Sequence, residues 1–250
     1  MAATDVPIVY INLDTAVERR RLLEQQCEAM GLTARRLNAV RWSTLTPERQ
    51  RECYSEELNA SQYHTPLVDG EKGCYASHIQ AWNDLLSGSD ACMVVLEDDV
   101  RLTPDFLRVV HAIAQLDVPW DMVKLIGRSV EKLASTRPLC GGVELVDYAR
   151  VPSYTAGYVV SRTGAQKMLS TRQPFGRPID VDIRFWWEND LRVYGVWPPV
   201  LVHDDTSQAS TIAGRHAQRS LSMRWKKLKM KVALTAGNAW YRIRRRALSS

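Results

Sequence analysis

Ala91-Cys-Met-Val-Val-Leu-Glu-Asp-Asp-Val100 is the stretch whose reading decides the fold. An apolar run of strand length stops abruptly at three consecutive acids, Glu97, Asp98 and Asp99. Adjacent carboxylates repel one another, and burying them uncompensated is costly. A cation is the simplest compensation. The run therefore reads as a buried strand that delivers acids to a divalent metal at its C-terminal end, where open α/β sheets hold their ligands. Strand alternation turns Glu97 and Asp99 to one face and Asp98 to the other, so a single ion would not take all three.

The flanking sequence extends this unit. Ile8–Leu13 reads as a short strand. Thr15 with Glu18 suits a capping box for a helix that stops at Gly31. Residues 43–70 are polar, with a short helix expected after Thr46-Pro47 and then an irregular segment. Helical periodicity returns over Gly73–Leu86 and ends at Ser87-Gly88. Thr103-Pro104 opens a helix carrying Phe106, Leu107, Val110 and Ile113. Strands are expected at Met122–Ile126, Val143–Val146 and Thr155–Val160, and residues 127–142 read as a loop. Ser161 caps a further helix. Residues 180–192 are expected to be helical and Val193–Val202 extended, interrupted by Pro198-Pro199. The order describes a mixed α/β chain, parallel in its first half, with antiparallel hairpins later.

Charge divides the chain. No Asp or Glu follows Asp205, and eleven Lys/Arg lie between Arg215 and the end. Residues 1–214 hold the remaining 22 Lys/Arg against all 28 Asp/Glu, so an acidic body precedes a basic tail. The expected division is therefore 1–214 and 215–250. The tail interleaves Trp225, Leu228, Val232, Trp240, Tyr241 and Ile243 with its cations. It reads as an amphipathic, basic, two-part helix broken at Thr235-Ala-Gly-Asn238. Such asymmetry suggests an anionic partner, and a membrane surface fits it best, with a solvated disordered tail as the plain alternative. Nucleic acid is not expected, for no nucleic-acid motif accompanies the cations. Five cysteines without Cys-x-x-Cys spacing suggest reduced cytosolic thiols. The first residues lack the pattern of a secretory signal.

The segment Glu71-Lys-Gly-Cys-Tyr-Ala-Ser-His78, then Trp82, then Val95-Leu-Glu-Asp-Asp-Val100, resembles glycosyltransferase family 25. That family includes bacterial lipopolysaccharide and lipooligosaccharide galactosyltransferases and the collagen galactosyltransferases. The likeness extends to Ile8-Val-Tyr-Ile-Asn-Leu-Asp14 with Glu18-Arg-Arg20, and to Tyr158-Val-Val-Ser161 with Gly164-Ala165. Pro178-Ile-Asp180 and Pro199 through Ser210-Thr-Ile212 follow in the same order. It covers roughly residues 6–213.

The resemblance implies a GT-A-like nucleotide-diphospho-sugar transferase fold, with a mixed, mostly parallel central sheet flanked by helices. It also implies a UDP-sugar donor, Mn²⁺ or Mg²⁺, and transfer with inversion. By that analogy Asp99 ligates the metal, with Asp98 or Glu97 nearer the ribose. A late His in such folds often reaches the metal, which makes His203 a candidate, although this family more often has Gln there; a lone surface His is the alternative. Asn12, Leu13, Asp14 and Arg19 should meet the uracil and phosphates, since Arg pairs bidentately with phosphate. Lys124, inside an apolar strand, needs an anionic partner, carboxylate or phosphate. His78 should touch the diphosphate or donor sugar, or else pack against the acidic strand end. Inversion needs a base: Asp180 matches the family position, with Asp182 as rival and helix capping as its bland role. Trp186-Trp187 would stack on sugar or belong to the core.

The function that follows is a metal-dependent inverting transfer of a hexose, galactose first, to a lipopolysaccharide, lipooligosaccharide or other glycan or glycolipid acceptor. The expected place is cytoplasmic, peripheral on the inner face of the cytoplasmic membrane. Two alternatives are a nucleotidyltransferase that forms nucleotide-sugars and a non-catalytic scaffold on the membrane. The first would want a Gly-rich phosphate loop after the first strand, and Asn12-Leu-Asp-Thr-Ala is none. The second would have lost the acidic triplet, which is intact.

Overall fold

The computed structural model describes residues 6–127, 132–203 and 221–247. The chain runs β1 (Ile8–Asn12), α1 (Val17–Ala29), β2 (Ala34–Asn38), a 3₁₀ turn (Trp42–Thr44), α2 (Pro47–Cys53), α3 (Glu56–Gln62) and α4 (Asp69–Ser87). It continues through β3 (Cys92–Glu97), β4 (Val100–Leu102), α5 (Phe106–Ala114), β5 (Met122–Lys124), β6 (Leu133–Cys140), β7 (Val143–Tyr148) and β8 (Gly157–Ser161). Last come α6 (Arg162–Thr171), α7 (Ile179–Asp182), a 3₁₀ segment (Ile183–Glu188), β9 (Val193–Trp197), β10 (Leu201–His203) and α8 (Leu221–Ala247).

Eight strands form one sheet in the order β2-β1-β3-β8-β5-β9-β7-β6. Six point the same way, and β7 and β8 oppose them. The mixed, mostly parallel α/β sheet flanked by helices is the fold class expected from the sequence. Period-two alternation splits the core across the sheet. Ile8, Tyr10, Val94 and Leu96 pack with Leu23 of α1 and with Phe106, Val110 and Ile113 of α5. Val9, Ile11, Met93 and Val95 pack on the other face with Tyr75, Ile79 and Trp82 of α4 and with Met168 of α6.

This alternation places the acidic run. Glu97 continues the face of Met93 and Val95, so it meets α4. Asp98 and Asp99 then form the turn into β4, where strand alternation no longer applies, so the expected pairing of Glu97 with Asp99 on one face does not hold. β4 pairs antiparallel with β10 in a separate ribbon that sets His203 opposite Val100, one residue from Asp99.

Several local expectations change. Ala16, not Thr15, is the N-cap of α1, and it makes no side-chain cap. Thr15 instead accepts a hydrogen bond from Arg41. β2 is a strand the sequence hides, because Ala34-Arg-Arg-Leu-Asn38 offers one buried apolar residue, Leu37. Residues 133–140 are not loop but β6, an edge strand that tolerates Pro138 and carries irregular register. The Ser161 cap stands, its hydroxyl accepting from the Gly164 N–H.

The C-terminal helix α8 is continuous over its 27 residues, with no break at 235–238. Those residues are its contact face. Asn238 is buried, accepts from Trp186 Nε1 at 3.0 Å and returns its amide to the Leu234 carbonyl. A Cβ on Gly237 would sit 2.1 Å from the Trp187 ring, so only glycine allows this approach. Trp187 also stacks on Tyr241, and Arg242 pairs with Asp147. The Trp186-Trp187 pair is thus core and helix anchor rather than sugar platform. The proposed boundary at 214/215 lies outside the described residues, as do Asp204-Asp205 and Ser210-Thr-Ile212. Leu234→Ala should cost about 2–5 kcal/mol in urea unfolding, the range for a large side chain deleted from a core. A free tail would lose nothing.

Candidate active site

Asn12 ends β1 and is almost wholly buried. Its amide donates to Asp98 Oδ2 at 2.6 Å and to the Ala16 carbonyl, while Arg36 Nε donates to its Oδ1 at 3.0 Å. Arg19, from α1, pairs with Asp98 Oδ1 at 3.3 Å. Asp98 is therefore held by the β1–α1 corner. Burial pushes its carboxyl above the ordinary value, and Asn12 and Arg19 offset that only in part. Asn12 organises the acidic turn instead of reading a base edge.

Glu97 faces α4. His78 Nε2 lies 3.5 Å from its Oε1, and Thr155 donates to the same oxygen at 3.2 Å. Burial pushes this carboxyl up, but His78 and Thr155 outweigh it and hold it below the usual carboxylate range. The His78 tautomer follows from its neighbours. Trp82 Nε1 donates to Tyr158 Oη at 3.0 Å, and Tyr158 Oη meets His78 Nδ1 at 2.8 Å. The ionised Glu97 can only accept, so the neutral imidazole carries its proton on Nε2 facing that carboxylate, and Nδ1 accepts a hydrogen bond from the Tyr158 hydroxyl. His78 is fully buried, and Nε2 has no hydrogen-bond partner within normal distance.

Asp99 is the third acid. Its Oδ1 is buried without a hydrogen-bond partner among the described residues. Burial, then the charges of Glu97 and Asp98, push its carboxyl up, while His203 and Arg19 pull it down. An orphaned carboxylate oxygen among two other acids and a histidine fits a hard divalent cation. Cys74 Sγ, a His78 ring nitrogen and a Glu97 oxygen lie within 4.8 Å of one another, a separate donor group that joins the end of β3 to α4.

Two cavities meet at these groups. The larger, about 710 Å³, is lined by Leu13 and Arg19 from the first corner, Val40, Arg41 and Trp42 after β2, His78, and all three acids. The smaller, about 430 Å³, is lined by Glu71, Thr155, Pro178 and Asp180. Cys74, Glu97, Tyr154 and His203 line both. Gly73 allows α4 to close on the segment that carries Trp42, because a Cβ there would sit 2.5 Å from the Val40 carbonyl oxygen. Ser77 fastens the same contact by accepting the Val40 N–H at 2.8 Å.

The expected site residues divide. Leu13, Arg19, His78, Glu97, Asp98, Asp99 and His203 converge on the larger cavity, and Asp180 lines the smaller. Asp14 does not converge; it is exposed and pairs with Arg36. Lys124 is buried and donates to the carbonyls of Pro152, Ser153 and Tyr154, and of the expected anions a carboxylate, Asp180, feels its charge. Through those carbonyls Lys124 grips a loop whose Tyr154 adopts φ +81 and packs on His203 between the two cavities. Such a backbone state costs about 1–3 kcal/mol and persists only where its surroundings enforce it. Asp182 turns the other way. It is buried under Tyr75 Oη at 2.6 Å, Arg177 at 3.1 Å and Arg172 at 3.3 Å, and it lines neither cavity. Asp180 follows the N-cap Pro178 by two residues, so capping is not its role.

Comparison with known proteins bears on this geometry. The model of glycosyltransferase family 25, described as an LPS biosynthesis protein, matches residues 6–138, from β1 through most of β6. The chain belongs to glycosyltransferase family 25. A Drosophila pseudoobscura pseudoobscura glycosyltransferase 25 family member is 31% identical over 182 residues, 70% of this chain and 28% of that protein. The human procollagen galactosyltransferase 2 is 30% identical over 190 residues, again 70% of this chain and 29% of that one. The chain thus spans less than a third of the length of these curated relatives. A solved glycosyltransferase, titled as involved in glycosylation of the major capsid of PBCV-1, aligns with 89% of this chain and 98% of that one. Its identity is 11% and its TM-score 0.38, too distant to argue from. The family match covers Leu13, Arg19, His78 and the acidic triplet of the larger cavity but ends before Tyr154 and His203.

Proposed function

We propose that this family 25 chain transfers a hexose from a UDP-sugar to a glycan or glycolipid acceptor, with inversion and with a divalent cation. One observation carries the reading: Glu97, the first of the three acids, stands with Cys74, Tyr154 and His203 in the wall between a larger cavity, which Asp98 and Asp99 also line, and a smaller one that holds a separate carboxylate, Asp180. The larger suits the donor, its uracil toward Leu13, Val40 and Trp42 and its diphosphate toward Arg19 and the acids. The smaller suits the acceptor. Two cavities sharing a wall bring the acceptor oxygen and the anomeric carbon together, which is where orientation lowers the barrier.

In the step, the acceptor oxygen forms a bond to the anomeric carbon as the bond to the β-phosphate oxygen breaks. UDP leaves with that electron pair, and Asp180 takes the acceptor hydroxyl's proton. Asp99, with Glu97 and His203 beside it, would hold Mn²⁺ or Mg²⁺, which neutralises charge on the departing diphosphate. His78 keeps Glu97 ionised and oriented. The names of relatives that are galactosyltransferases support galactose as the sugar. The family description supports a lipopolysaccharide-type acceptor, and with it work at the inner face of the cytoplasmic membrane.

Burial, ahead of every other influence, raises the Asp180 carboxyl above 3.8, and Lys124 and Arg184 offset this only in part. A base must be ionised, and a carboxyl ionises above its pKa. Turnover should therefore fall as pH drops through a midpoint higher than that of an ordinary carboxylate. A kcat profile against pH with UDP-galactose and Mn²⁺ measures it, alongside a thermal-shift screen of nucleotide-sugars with and without the ion. A kcat unchanged down to the usual carboxylate range would remove Asp180 from the role.

A further inference from the structure

The helix α8 has two apolar faces, and among the described residues only one is occupied. Leu234 and Asn238 are buried against the body, and Gly237 and Tyr241 pack on Trp187. At about 100° per residue, Trp225, Leu228, Val232, Ala236, Ala239 and Ile243 fall on the side opposite. Among them Trp225 is 64% exposed, Leu228 50%, Val232 59% and Ile243 68%, and the neighbouring Trp240 is 67% exposed. Their steps of three and four residues make one stripe along the helix. Scattered exposed apolar residues are ordinary, but a continuous stripe of this size marks a surface that is covered in use.

Charge selects the covering. The 27 residues of α8 include nine Lys/Arg and no Asp or Glu. On the helical wheel Arg224 and Lys231 fall along one flank of the stripe, and Lys226, Lys229 and Arg244 along the other. A second copy docking through the same face would bring two such cationic flanks together. A lamellar surface of anionic headgroups instead meets the cations at the flanks and the Trp and aliphatic side chains at the centre. Tryptophan at the rim of such a stripe suits the headgroup level.

We propose that the outward face of α8 lies in the plane of an anionic bilayer, while its inward face remains part of the folded body. The proposal rests on the inner-face reading above and names the surface that makes the contact. It differs from a basic tail tethered to lipid: the helix packs on the 3₁₀ segment Ile183–Glu188, which follows α7 and Asp180, and is hydrogen-bonded to it through Asn238 and Trp186. Membrane contact would then orient the acceptor cavity, not merely concentrate the protein.

The test uses the full chain. Flotation with vesicles of phosphatidylcholine and phosphatidylglycerol is compared with flotation on phosphatidylcholine alone, for the natural chain and for the triple variant Leu228→Ser, Val232→Ser, Ile243→Ser. The natural chain should float with the anionic vesicles only and be released by high salt. The variant should bind at least about tenfold more weakly, with its melting temperature and its turnover of a soluble acceptor unchanged. A variant that floats like the natural chain overturns the assigned face but leaves the membrane reading. A natural chain that never floats overturns both and leaves sugar transfer to its own assay. A dimer in light scattering that the same substitutions dissociate assigns the stripe to a second copy and overturns the lipid proposal.

Discussion

Replacing Asp99 by Ala should abolish cation-dependent UDP-sugar turnover, by at least about a thousandfold, while leaving the fold intact. The loss follows from where Asp99 sits: its buried Oδ1 has no hydrogen-bond partner among the described residues, and the turn between β3 and β4 directs it to the wall of the larger cavity. The stability effect should run opposite to the activity effect. Burial and the neighbouring Glu97 raise the Asp99 carboxyl in the folded chain. In the unfolded chain it ionises at its ordinary value. At neutral pH, without a cation, the group is therefore a net cost to the folded state, and one that fades as pH falls toward the unfolded pKa. Asp99→Ala should melt at the same temperature as the natural chain or slightly higher when no metal is added. The upward shift that Mn²⁺ produces in the natural chain should vanish. Calorimetry with and without Mn²⁺, beside a turnover assay, reads both. Near-natural turnover would place the ion elsewhere, with Cys74, His78 and Glu97 the next set to examine.

Strong local patterns were legible before any coordinates. The apolar runs of β1, β3 and β8 are buried along their length, and such runs announce themselves in sequence. β2 and β6 do not. They are the two edge strands of the sheet, with at most one buried side chain each, so their patterns carry little information about pairing. The Thr235-Ala-Gly-Asn238 run looked like a helix break because Gly and Asn are poor helix formers. In the folded chain that weakness is offset by Trp186 and Trp187, which need a residue without a side chain and an amide at those places. Tertiary packing decided against local propensity.

The site divided along a similar line. The acids, His78 and Arg19 stood out because charged groups beside apolar runs demand an explanation. Lys124 stood out for the same reason, yet its demand is met by three backbone carbonyls, a partner that leaves no trace in side-chain sequence. Tyr158 lies in an expected strand, and only the crossing of α4 over the sheet shows that its hydroxyl meets His78 Nδ1 and Trp82 Nε1. Trp42, Arg41 and Tyr154 line the larger cavity from loops, where no periodicity points to them.

Asp180 and Asp182, two residues apart, should fail in different ways. Asp180→Asn removes the proton acceptor from the smaller cavity. It should lower kcat by about 10²–10⁴-fold, with donor affinity and melting temperature unchanged. Asp182→Asn removes the partner of two buried guanidiniums. Arg172 and Arg177 both reach Asp182 and Glu188, and Arg177 lies over the Phe185 ring. Tyr75, stacked on Phe175, gives its hydroxyl to the same carboxylate. With Asp182 neutralised, Glu188 alone faces two buried cations, and breaking such a pair costs about 3–5 kcal/mol. Asp182→Asn should therefore lower the urea midpoint sharply while the folded fraction keeps most of its kcat. This network also holds Phe185 and the 3₁₀ segment against which α8 packs, so the same variant should loosen α8 and raise hydrogen exchange at Leu234 and Asn238. The reverse result, a stable Asp182→Asn that binds donor but does not turn over, would move the base from the cavity wall to the buried network and require the acceptor to enter from the opposite side of α7.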